Sequence, residues 1–367
     1  DVDILSQKLE LLGLEKRSVE WFRSFLTNRS QRIQIGSGVS SSETVSIGCP
    51  QGSLLSPLLF LIYIADVEQW VNDVAIKGYA DDTISSFSHA HEETVIAKLE
   101  ADAVQILRFM ASNHLAANPR KTGFLLIRQK QQMTRTSIMV GEDRIFEEDR
   151  HHRILGLTVN NTLTWKDHVL EKGGLLTSVH QRIGALRRIS YHVPMAALPG
   201  IASAIIASKI RYGIAIYGTV RQNESEPTME IARKTQVALN TAMRIATRTR
   251  LKDRVRVADL IETTGIRPFN WMSAEEKLKL IWQAIHNDDS PLTEVISFKN
   301  SSTYGRESRS ATRGDILCHS KTTLGQKNFP EPAIRLWNST SQLVREATSK
   351  GSAKKEIIRF TKSLPML

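Results

Sequence analysis

The stretch GYADDTISSF, residues 78–87, places two carboxylates side by side, Asp81 and Asp82, between segments typical of β-strand. An ionised aspartate inside an apolar, hydrogen-bonded element is costly unless a metal ion or a cation compensates it. Consecutive side chains of a strand point to opposite faces, so the pair can serve one ligand only from the tight turn of a hairpin. Oxygen ligands of this kind suit Mg²⁺ better than zinc. An isolated Asp-Asp pair is usually a solvent-exposed turn, so its neighbours must decide between the two interpretations.

The second informative stretch is GCPQGSLLSPLLF, residues 48–60. Gly48, Pro50 and Gly52 disfavour a regular element before Ser53, which is the predicted start of a helix. A loop bounded by glycines lets the backbone approach a ligand closely, and the amide of Gln51 offers both a donor and an acceptor. By itself the pattern also fits an ordinary loop.

Helical and strand patterns alternate around these two stretches. Residues 4–12, 15–27, the apolar run after Gly52 and 92–115 have helical patterns. The strand candidates are QRIQIG and ETVSIG, paired as a hairpin, and then residues 74–80, 83–87, 123–128, 135–140 and 153–159. Helices on a small antiparallel sheet form an α+β architecture, which is the fold class that we predict.

Beyond Thr164 the patterns are mostly helical up to about residue 286. Thr164 and Asp167 resemble a capping box that opens a helix over 165–188. Its apolar face is predicted to contain Trp165, Val169, Leu176, Val179, Ile183 and Leu186. Further predictions are a surface linker at 221–228, a long loop at 297–328 and a last helical segment from about Pro330, with Leu336, Trp337 and Leu343 as apolar anchors. Basic residues are densest at 244–256, where a solvated helix face is the alternative to a binding surface.

The charge balance favours a polyanionic partner. The 367 residues contain 49 Lys and Arg against 38 Asp and Glu, a net charge of +11. Such a balance is typical of proteins that bind nucleic acid or an anionic membrane. The two cysteines, Cys49 and Cys318, lie far apart without paired His or Cys, so we expect neither a disulfide partner nor a zinc module.

Two segments bear on where in the cell the protein lies. Residues 189–208 contain no Lys, Arg, Asp or Glu, but Pro194, Pro199 and Gly200 interrupt them. We therefore expect a buried helix pair there and no membrane span. The chain opens DVDILSQKLE, with neither an initiator Met nor a secretory or transit-like segment, so we expect an intracellular piece, in nucleus or cytoplasm, of a longer protein.

The order of the motifs resembles one enzyme family. SIGCPQGSLLSPLLFLIYIADV at 46–67, followed by IKGYADDT at 76–83, is similar to motifs B and C of reverse transcriptases, in particular those of non-LTR retrotransposons. LAANPRKTGFLLI at 115–127 resembles motif D, and HHRILGLTVNNTLTWKDHV at 151–169 resembles motif E, the primer grip. FPEPAIRLWNSTSQLV at 329–344 resembles the closing segment of CR1-like and jockey-like reading frames. The similarity thus covers essentially the whole chain.

The resemblance implies an RNA-directed DNA polymerase that carries out two-metal nucleotidyl transfer with Mg²⁺, or with Mn²⁺ in its place. The implied partners are an RNA template, a DNA primer and dNTPs. Asp81 matches the first motif C aspartate, the firm metal ligand, and Asp82 matches the second, which is usually more peripheral. Lys121 in motif D is a candidate for charge stabilisation or proton donation at the leaving pyrophosphate. The residues implied at the template and nascent base pair are Pro50, Gln51, Gly52, Tyr79 and Ala80, and the primer grip centres on Leu155 and Gly156.

A thumb is expected after the primer grip, with an apolar face toward the palm and a basic face toward the duplex. The predicted helix over 165–188 has both, with Arg182, Arg187 and Arg188 available for phosphates. The implied architecture is a partial right-hand polymerase. Its regions are a palm at 1–160, thumb-like helices at 161–220, a basic helical region at 221–296, and a loop with a C-terminal helical segment at 297–367.

Motif A is where the sequence departs from the family pattern. In related elements this motif reads roughly FDxVDHxxLLxKL, and matching its KL to Lys8 and Leu9 puts Asp1 at the second aspartate, after the catalytic one. The catalytic aspartate and most of the fingers are then expected before the first residue, so we expect no DNA synthesis from the chain as it stands. The alternatives are a non-catalytic nucleic-acid-binding remnant of the same family and an unrelated basic helical protein with a chance YADD sequence.

Overall fold

The computed structural model describes residues 1–128, 136–147, 151–220, 226–287, 289–293, 296–298, 315–318, 320 and 323–366. The chain divides into two compact units. One is formed by Asp1–Phe124 with Gln132–Asp149, and the other by Leu125–Gln131 with Arg150–Leu367. The first combines helices with short antiparallel strands and the second is mainly helical, which confirms the α+β fold class. Among the described residues, no helix combines the length and the apolar character needed to cross a membrane.

The helices of the first unit are α1 (Val2–Leu11), α2 (Lys16–Leu26), α3 (Ser56–Ile64) and α4 (Glu92–Ser112), with 3-10 turns at Ala65–Gln69 and Pro119–Lys121. Asp1 caps α1, because its Oδ1 accepts the N–H groups of Asp3 and Ile4 at 2.8 and 3.2 Å. The buried core of this unit contains Leu5, Leu9, Val19, Leu26, Leu59 and Tyr63. The positions of α1, α2 and α4 confirm the helices predicted from apolar spacing.

Helix α3 differs from its prediction in start and in burial. It begins at Ser56 and not at Ser53, because Pro57 suits the first helical turn, where its missing N–H is not needed. The helix is apolar on all sides, yet Leu58 and Leu61 are 53% and 49% exposed. Only one side of the helix, the one with Leu59 and Tyr63, is buried.

The strands of the first unit form antiparallel pairs. β1 (Arg29–Gln31) pairs with β4 (Glu43–Val45), and β2 (Gln34–Ile35) pairs with β3 (Gly38–Val39) between them. β5 (Ala75–Tyr79) pairs with β6 (Asp82–Ser86), and β7 (Ser137–Val140) pairs with β8 (Asp143–Phe146). In the described residues each pair is a separate two-stranded sheet, and the hairpin predicted at 74–87 is confirmed. The hairpin of QRIQIG and ETVSIG is confirmed only in part, because Gln31 pairs with Glu43 but Gln34–Ile35 pairs with Gly38–Val39, inside the predicted turn.

The second unit opens with the hairpin of β9 (His151–Ile154) and β10 (Leu157–Asn160). The next helices are α5 (Lys166–Val169), α6 (Leu175–Ile189), α7 (Leu198–Ala202), α8 (Ser208–Arg211), α9 (Ile214–Tyr217), α10 (Glu226–Ala246), α11 (Val257–Thr264) and α12 (Phe269–Ile285). The chain ends with α13 (Thr323–Lys327), α14 (Glu331–Asn338), α15 (Gln342–Arg345) and α16 (Lys350–Lys362). A π-helical segment, Ser203–Ala207, joins α7 to α8.

Two buried clusters hold the second unit together. The larger cluster contains the predicted apolar face of 165–188, with Val169, Leu176, Val179, Ile183 and Leu186 buried and Trp165 packed at its edge. The smaller cluster joins α12 to α14 and α16 through Leu278, Ile281, Ile334, Trp337 and Ile357. The predicted apolar face is therefore confirmed, because it has the helical period that a buried face requires.

Two strand predictions are wrong. In GFLLIR, residues 123–128, Phe124 alone forms a bridge to another described residue, Glu147, and the strands β7 and β8 pair with each other. The single strand predicted at 153–159 is a hairpin. Leu155 and Gly156 reverse the chain with φ values of +47° and +81°, the positive pair that favours a tight two-residue turn.

The predicted helix over 165–188 is interrupted. Gly173, at φ +89°, and Gly174 separate α5 from α6. The capping box of Thr164 and Asp167 is also wrong, because the Nδ2 of Asn160 donates to both of their side chains, at 2.8 and 2.9 Å. Asn160 thereby fixes the entry to α5 from the end of β10.

The helix pair predicted at 189–208 is one continuous helical run from Leu198 to Arg211. Pro199 does not interrupt this run, since it lies in the first turn, where proline is tolerated.

Several predictions on the C-terminal half fall partly outside the described residues. Residues 221–225 of the predicted linker lie outside them, and α10 already begins at Glu226. Most of the loop predicted at 297–328 also lies outside, but α13 occupies its end. Of the three anchors, Leu336 and Trp337 are buried, whereas Leu343 is 58% exposed and the neighbouring Val344 is buried instead.

Candidate active site

The hairpin β5–β6 presents the two aspartates at its tip. Tyr79 pairs with Asp82 across the ladder, so Ala80 and Asp81 form the turn between the strands. Ala80 has φ +54°, a left-handed conformation that costs a non-glycine residue about 1 kcal/mol. Strain of this kind concentrates at functional sites. Asp81 thus lies in a hairpin turn, as predicted, and Asp82 is the first residue of β6.

The two carboxylates lie on different faces of this hairpin. A pocket of about 500 Å³ is lined on the hairpin side by Ile76, Gly78, Ala80, Asp81 and Thr83. Antiparallel partners share a face, and the paired residues Tyr79 and Asp82 are both absent from this lining. Asp81 therefore borders the pocket, while Asp82 lies on the opposite face of the hairpin.

The other walls of the pocket are mostly apolar. Helices α3 and α4 and the segment after α4 contribute Phe60, Ile64, Ile106, Phe109, Met110 and Leu115. Two lining residues are charged, Asp81 and Glu68, and both are acidic. The field of two carboxylates beside an apolar wall favours a cation over a phosphate group.

Helix α4 positions the start of β5 through Asp102, which is 1% exposed. Its carboxylate accepts the N–H groups of Asn72, Asp73 and Val74 at 3.0, 2.8 and 2.9 Å. Burial raises the pKa of this carboxyl, but the backbone donors lower it by more, so its pKa lies below the ordinary value. Asp102 is therefore charged at neutral pH and holds the strand that leads to Asp81.

The loop before α3 has glycines in left-handed conformation on both sides of Pro50 and Gln51. Gly48 and Gly52 both have φ +81°, and no heavy atom lies within 4 Å of a Cβ built on either. The carbonyl of Pro50 accepts the Ser56 hydroxyl at 2.7 Å, which fastens the loop to the start of α3. Gln51 is exposed. The loop can approach a ligand closely, although none of its residues lines the pocket beside Asp81.

Lys121 and the predicted primer grip are not among the residues that line that pocket. Lys121 ends the 3-10 turn Pro119–Lys121, is exposed, and is not among the pocket's lining residues. Leu155 and Gly156 form the turn between β9 and β10 in the second unit. The hydroxyl of Tyr212 donates to the Leu155 carbonyl at 2.6 Å, and its ring lies 3.5 Å from the position of a Cβ at Gly156. Tyr212 thus fixes this hairpin tip against the end of α8.

The three arginines predicted to contact phosphates have different surroundings. Arg187 and Arg188 are exposed in the last turn of α6. Arg182 is partly buried, and its Nη1 donates to the carbonyl of Ile205 at 2.8 Å. Two of the three guanidinium groups are therefore presented to solvent, while the third makes an internal contact with the π-helical segment.

The tip of the β5–β6 hairpin supplies only some of the ligands that a divalent metal ion needs. Among the described residues, no group of three or more His, Cys, Asp or Glu side chains could hold an ion. Mg²⁺, however, is commonly held by one or two carboxylates and completes its shell with water and substrate phosphates. The carboxylate of Asp81 has the donor chemistry for such a site, and Glu68 lines the same pocket.

Comparison with known proteins agrees with the motif order. Residues 1–159 match the family described as "Reverse transcriptase (RNA-dependent DNA polymerase)". Residues 1–159 thus carry a reverse transcriptase domain. The chain is 21% identical over 220 residues to the RNA-directed DNA polymerase from mobile element jockey of Drosophila melanogaster, covering 58% of this chain and 24% of that relative. It is 24% identical over 203 residues to the probable RNA-directed DNA polymerase from transposon X-element of the same organism, covering 53% and 22%. The chain thus spans about a quarter of the length of these relatives.

The reverse transcriptase match includes most of the predicted site. The loop 48–52, the hairpin tip, Lys121 and the turn Leu155–Gly156 all lie within residues 1–159. Arg182, Arg187 and Arg188 lie beyond it. The stretches that resemble motifs B and C lie in the first compact unit, as does Lys121 in motif D, and the stretch that resembles motif E begins with the β9–β10 hairpin.

Three residues at the candidate site and at the predicted primer grip were not predicted from the sequence. Asp102 lies on the apolar face of α4, between Leu99 and Ile106 at helical spacing, and an acidic residue on such a face was the available signal. Glu68 and Tyr212 carry no comparable signal, because only the folded chain brings them to the pocket and to the β9–β10 turn.

Proposed function

We propose that this chain forms the palm and the following helical region of an RNA-directed DNA polymerase from a non-LTR retrotransposon, with Asp81 as a ligand of the catalytic metal. The observation that carries the proposal is the position of Asp81, at the turn of β5–β6 and beside a pocket, in a domain of the reverse transcriptase family. Both curated relatives are described as RNA-directed DNA polymerases, which favours this function over a non-catalytic binding remnant.

In the proposed reaction the 3′-hydroxyl of a DNA primer loses its proton and bonds to the α-phosphorus of a dNTP opposite an RNA template, while the bond from that phosphorus to pyrophosphate breaks and pyrophosphate leaves. When bound, Mg²⁺, or Mn²⁺ in its place, supplies a Lewis acid that activates the hydroxyl and neutralises triphosphate charge. Asp81 holds the ion through carboxylate oxygens, and Asp82, on the other face of the hairpin, has a peripheral role. Ala80 ends in a single methyl group and leaves space for the primer terminus, with Tyr79 next to it in the strand.

The loop residues and Lys121 supply the remaining contacts in this proposal. Gln51 can donate to and accept from the template base pair, and Pro50 and Gly52 keep the backbone close to it. The exposed ammonium group of Lys121 stabilises the leaving pyrophosphate. These assignments are supported by motif order within the matched range.

The proposed architecture is that of a right-hand polymerase. The palm occupies residues 1–160 and the thumb 161–220, followed by the basic helical region 221–296 and the C-terminal segment 297–367. Leu155 and Gly156 support the primer end. Arg187 and Arg188 contact duplex phosphates, whereas Arg182 supports the helix that carries them, since its guanidinium already bonds to Ile205.

The test of catalysis is primer extension on an RNA template with Mg²⁺, using the protein expressed from its complete reading frame. Asp81→Asn is expected to reduce dNTP incorporation by at least roughly 100-fold, because a lost metal ligand removes several kcal/mol of transition-state stabilisation. Asp82→Asn is expected to have a smaller effect. The matched control is Asp73→Asn, which removes a carboxylate that pairs with Lys98 at 2.9 Å ahead of the same hairpin. Unchanged incorporation by Asp81→Asn contradicts the assignment.

The test of the thumb is binding to an RNA–DNA primer–template duplex at several salt concentrations. Removing both Arg187 and Arg188 by alanine substitution is expected to weaken binding without sequence preference and to lower the salt slope by about 2. Arg182→Ala is the comparison. It is expected to lower the free energy of unfolding by about 1 kcal/mol and to leave the slope nearly unchanged. A double variant that binds like the wild type identifies the two arginines as a solvated face.

A further inference from the structure

The end of α10 has an unusual residue at its C-terminal cap. The N–H of Arg248 donates to the Ile245 carbonyl at 3.1 Å, and the N–H of Thr249 donates to the Arg244 carbonyl at 2.9 Å. This pair of bonds is a Schellman motif, whose left-handed position favours glycine. Arg248 occupies it with φ +52°. An arginine at a position that favours glycine indicates that its side chain makes contacts that glycine cannot make.

The guanidinium of Arg248 connects the end of α10 to the segment after α6. Its Nη2 donates to the carbonyls of Ser190 and Val193 at 2.8 and 2.9 Å. Arg244 also donates to the Val255 carbonyl at 3.0 Å, which fastens the far end of loop 248–256 to the same helix. Two arginines thus hold the loop beside residues 190–193.

Three further cations of this loop face solvent. Arg250, Lys252 and Arg254 are exposed, and in the part of the chain that the structure describes none of them forms an ion pair. Arg256, in contrast, pairs with Asp259 at 3.2 Å. The carboxylate of Asp253 accepts the backbone N–H of Arg250 at 2.5 Å. The loop therefore presents positive charge that is not neutralised by the described carboxylates.

An exposed aromatic ring lies in the segment that Arg248 joins to this loop. Tyr191 is 82% exposed and lies between the two carbonyls that Arg248 holds. Exposed aromatic rings flanked by cations stack on unpaired bases while the cations contact phosphates. A duplex has no free base faces along its length, and a membrane surface has no planar bases. The combination therefore fits single-stranded nucleic acid best.

We propose that Tyr191, Arg250, Lys252 and Arg254, called the loop surface below, bind single-stranded nucleic acid. The inference rests on the proposed function for the class of partner, since a reverse transcriptase handles unpaired template. It adds a binding surface that neither Asp81 nor the arginines of α6 provide. The two internal arginines keep this surface in place before the ligand arrives, which lowers the entropic cost of binding.

The experiment measures the binding of the complete chain to a labelled single-stranded oligonucleotide and to the matching duplex by fluorescence anisotropy at several salt concentrations. A triple variant combines Arg250→Ala, Lys252→Ala and Arg254→Asn, because Asn tolerates the φ of +51° at position 254. Each phosphate contact to a single strand contributes about 0.7 to the salt slope, so the triple variant is expected to lower the slope by about 2.

The ring is tested separately. Tyr191→Ala is expected to weaken single-strand binding roughly 5-fold or more and to leave duplex binding unchanged, because base stacking is lost. Tyr191→Phe keeps the ring and is expected to bind like the wild type. Equal losses for single strand and duplex in Tyr191→Ala overturn the stacking role and the proposal with it.

The matched control removes the same charge elsewhere in the second unit. Lys350→Ala, Lys354→Ala and Lys355→Ala neutralise three exposed lysines of α16 and are expected to leave the slope unchanged. Equal losses in the two triple variants, or loss of binding to phosphatidylserine vesicles with single-strand binding intact, overturn the proposal. Primer extension on a pre-annealed template, with the protein expressed from its complete reading frame, tests the proposed function separately. Asp81→Asn is expected to lose incorporation there and to keep single-strand binding, so failure of catalysis and failure of the loop surface give different results.

Discussion

At the scale of single residues, identical side chains acquire different roles from the backbone that carries them. Asp81 lies in the turn and borders the pocket, whereas Asp82 pairs with Tyr79 inside the ladder and lies on the other face. Asp102 is a third aspartate with a different role. It is buried, and its oxygens bind backbone donors that would otherwise be unsatisfied.

The role of Asp102 leads to a prediction about stability in acid. Its pKa is lowered in the folded chain, so its contribution is present above the unfolded pKa and is lost as pH falls through the lower folded value. Asp102→Ala is expected to lower the free energy of unfolding by at least about 2 kcal/mol, because buried N–H groups lose a charged acceptor. Urea unfolding at neutral pH measures this loss. Asp73→Asn is the exposed control, and a loss of equal size there contradicts the anchoring role.

His168 is expected to cause a second pH dependence, at higher pH. Burial, with Lys209 and Arg153 nearby, lowers its pKa to about 4. The unfolded chain takes up this proton near the ordinary pKa of about 6.5, so stability is full above that value and falls as pH drops toward 4. A shift of this size corresponds to roughly 3 kcal/mol. The Nδ1 of His168 accepts the N–H of Thr158 at 3.3 Å, so protonation also breaks this link to β10.

The measurement for His168 is urea unfolding across that pH range. His168→Gln is expected to lose most of the acid sensitivity, since glutamine does not titrate and can still accept the bond. The control His180→Gln alters an exposed histidine of α6 and is expected to keep the wild-type profile. The assignment fails when both variants give the same profile.

At the scale of elements, short turns that contain glycine set helix and strand boundaries that the apolar period of the sequence does not reveal. Gly173 and Gly174 end one helix and begin another within a single apolar stripe, and Leu155 with Gly156 folds one apparent strand into a hairpin. The stripe remains buried across the interruption because α5 and α6 contribute to the same cluster.

The loop after α10 offers a prediction at this scale. Arg248 and Arg254 both have left-handed φ, but only Arg248 has its guanidinium bonded to two carbonyls. Arg254→Gly relieves strain of about 1 kcal/mol and is expected to be neutral or slightly stabilising. Arg248→Gly relieves the same strain but loses both bonds, so it is expected to be less stable than Arg254→Gly by about 2 kcal/mol.

Thermal unfolding of the two loop variants compares them directly. Their difference reports the guanidinium bonds, because the backbone change is the same in each. Equal midpoints for the two variants show that Arg248 does not hold the loop to residues 190–193.

At the scale of the whole molecule, the buried clusters follow the division into two units. The cluster of α1, α2 and α3 lies in the first unit, and the two clusters of the helical region lie in the second. We therefore expect a fragment of residues 150–367 to fold by itself, since both of its clusters are contained in it. Cooperative thermal unfolding with a near-ultraviolet circular dichroism signal from buried aromatic residues is the expected result. A non-cooperative transition shows that the second unit depends on residues before 150.

The helices and the motif residues were predictable because their signals are local. Apolar spacing identifies α1, α2, α4 and the buried face of α5 and α6 without knowledge of any partner. The motifs at 48–60 and 78–87 gave the family for the same reason, since their order and spacing are properties of the chain itself, and residues 1–159 match the reverse transcriptase family. The wrong strand prediction at 123–128 has the opposite cause, because a strand exists only where another segment pairs with it, and local pattern does not show which segments pair.

For GYADDTISSF, the sequence by itself determined a hairpin that turns at the aspartate pair, because strand patterns flank a residue type that favours turns. Only the tertiary structure decided that Asp81 borders the pocket and Asp82 does not, that Asp102 holds the strand before them, and that Arg248 joins the ends of α6 and α10. Each of these depends on segments distant in sequence that meet in space. Local sequence patterns do not show which distant segments come into contact, whereas packing and hydrogen bonding in the folded chain specify these contacts.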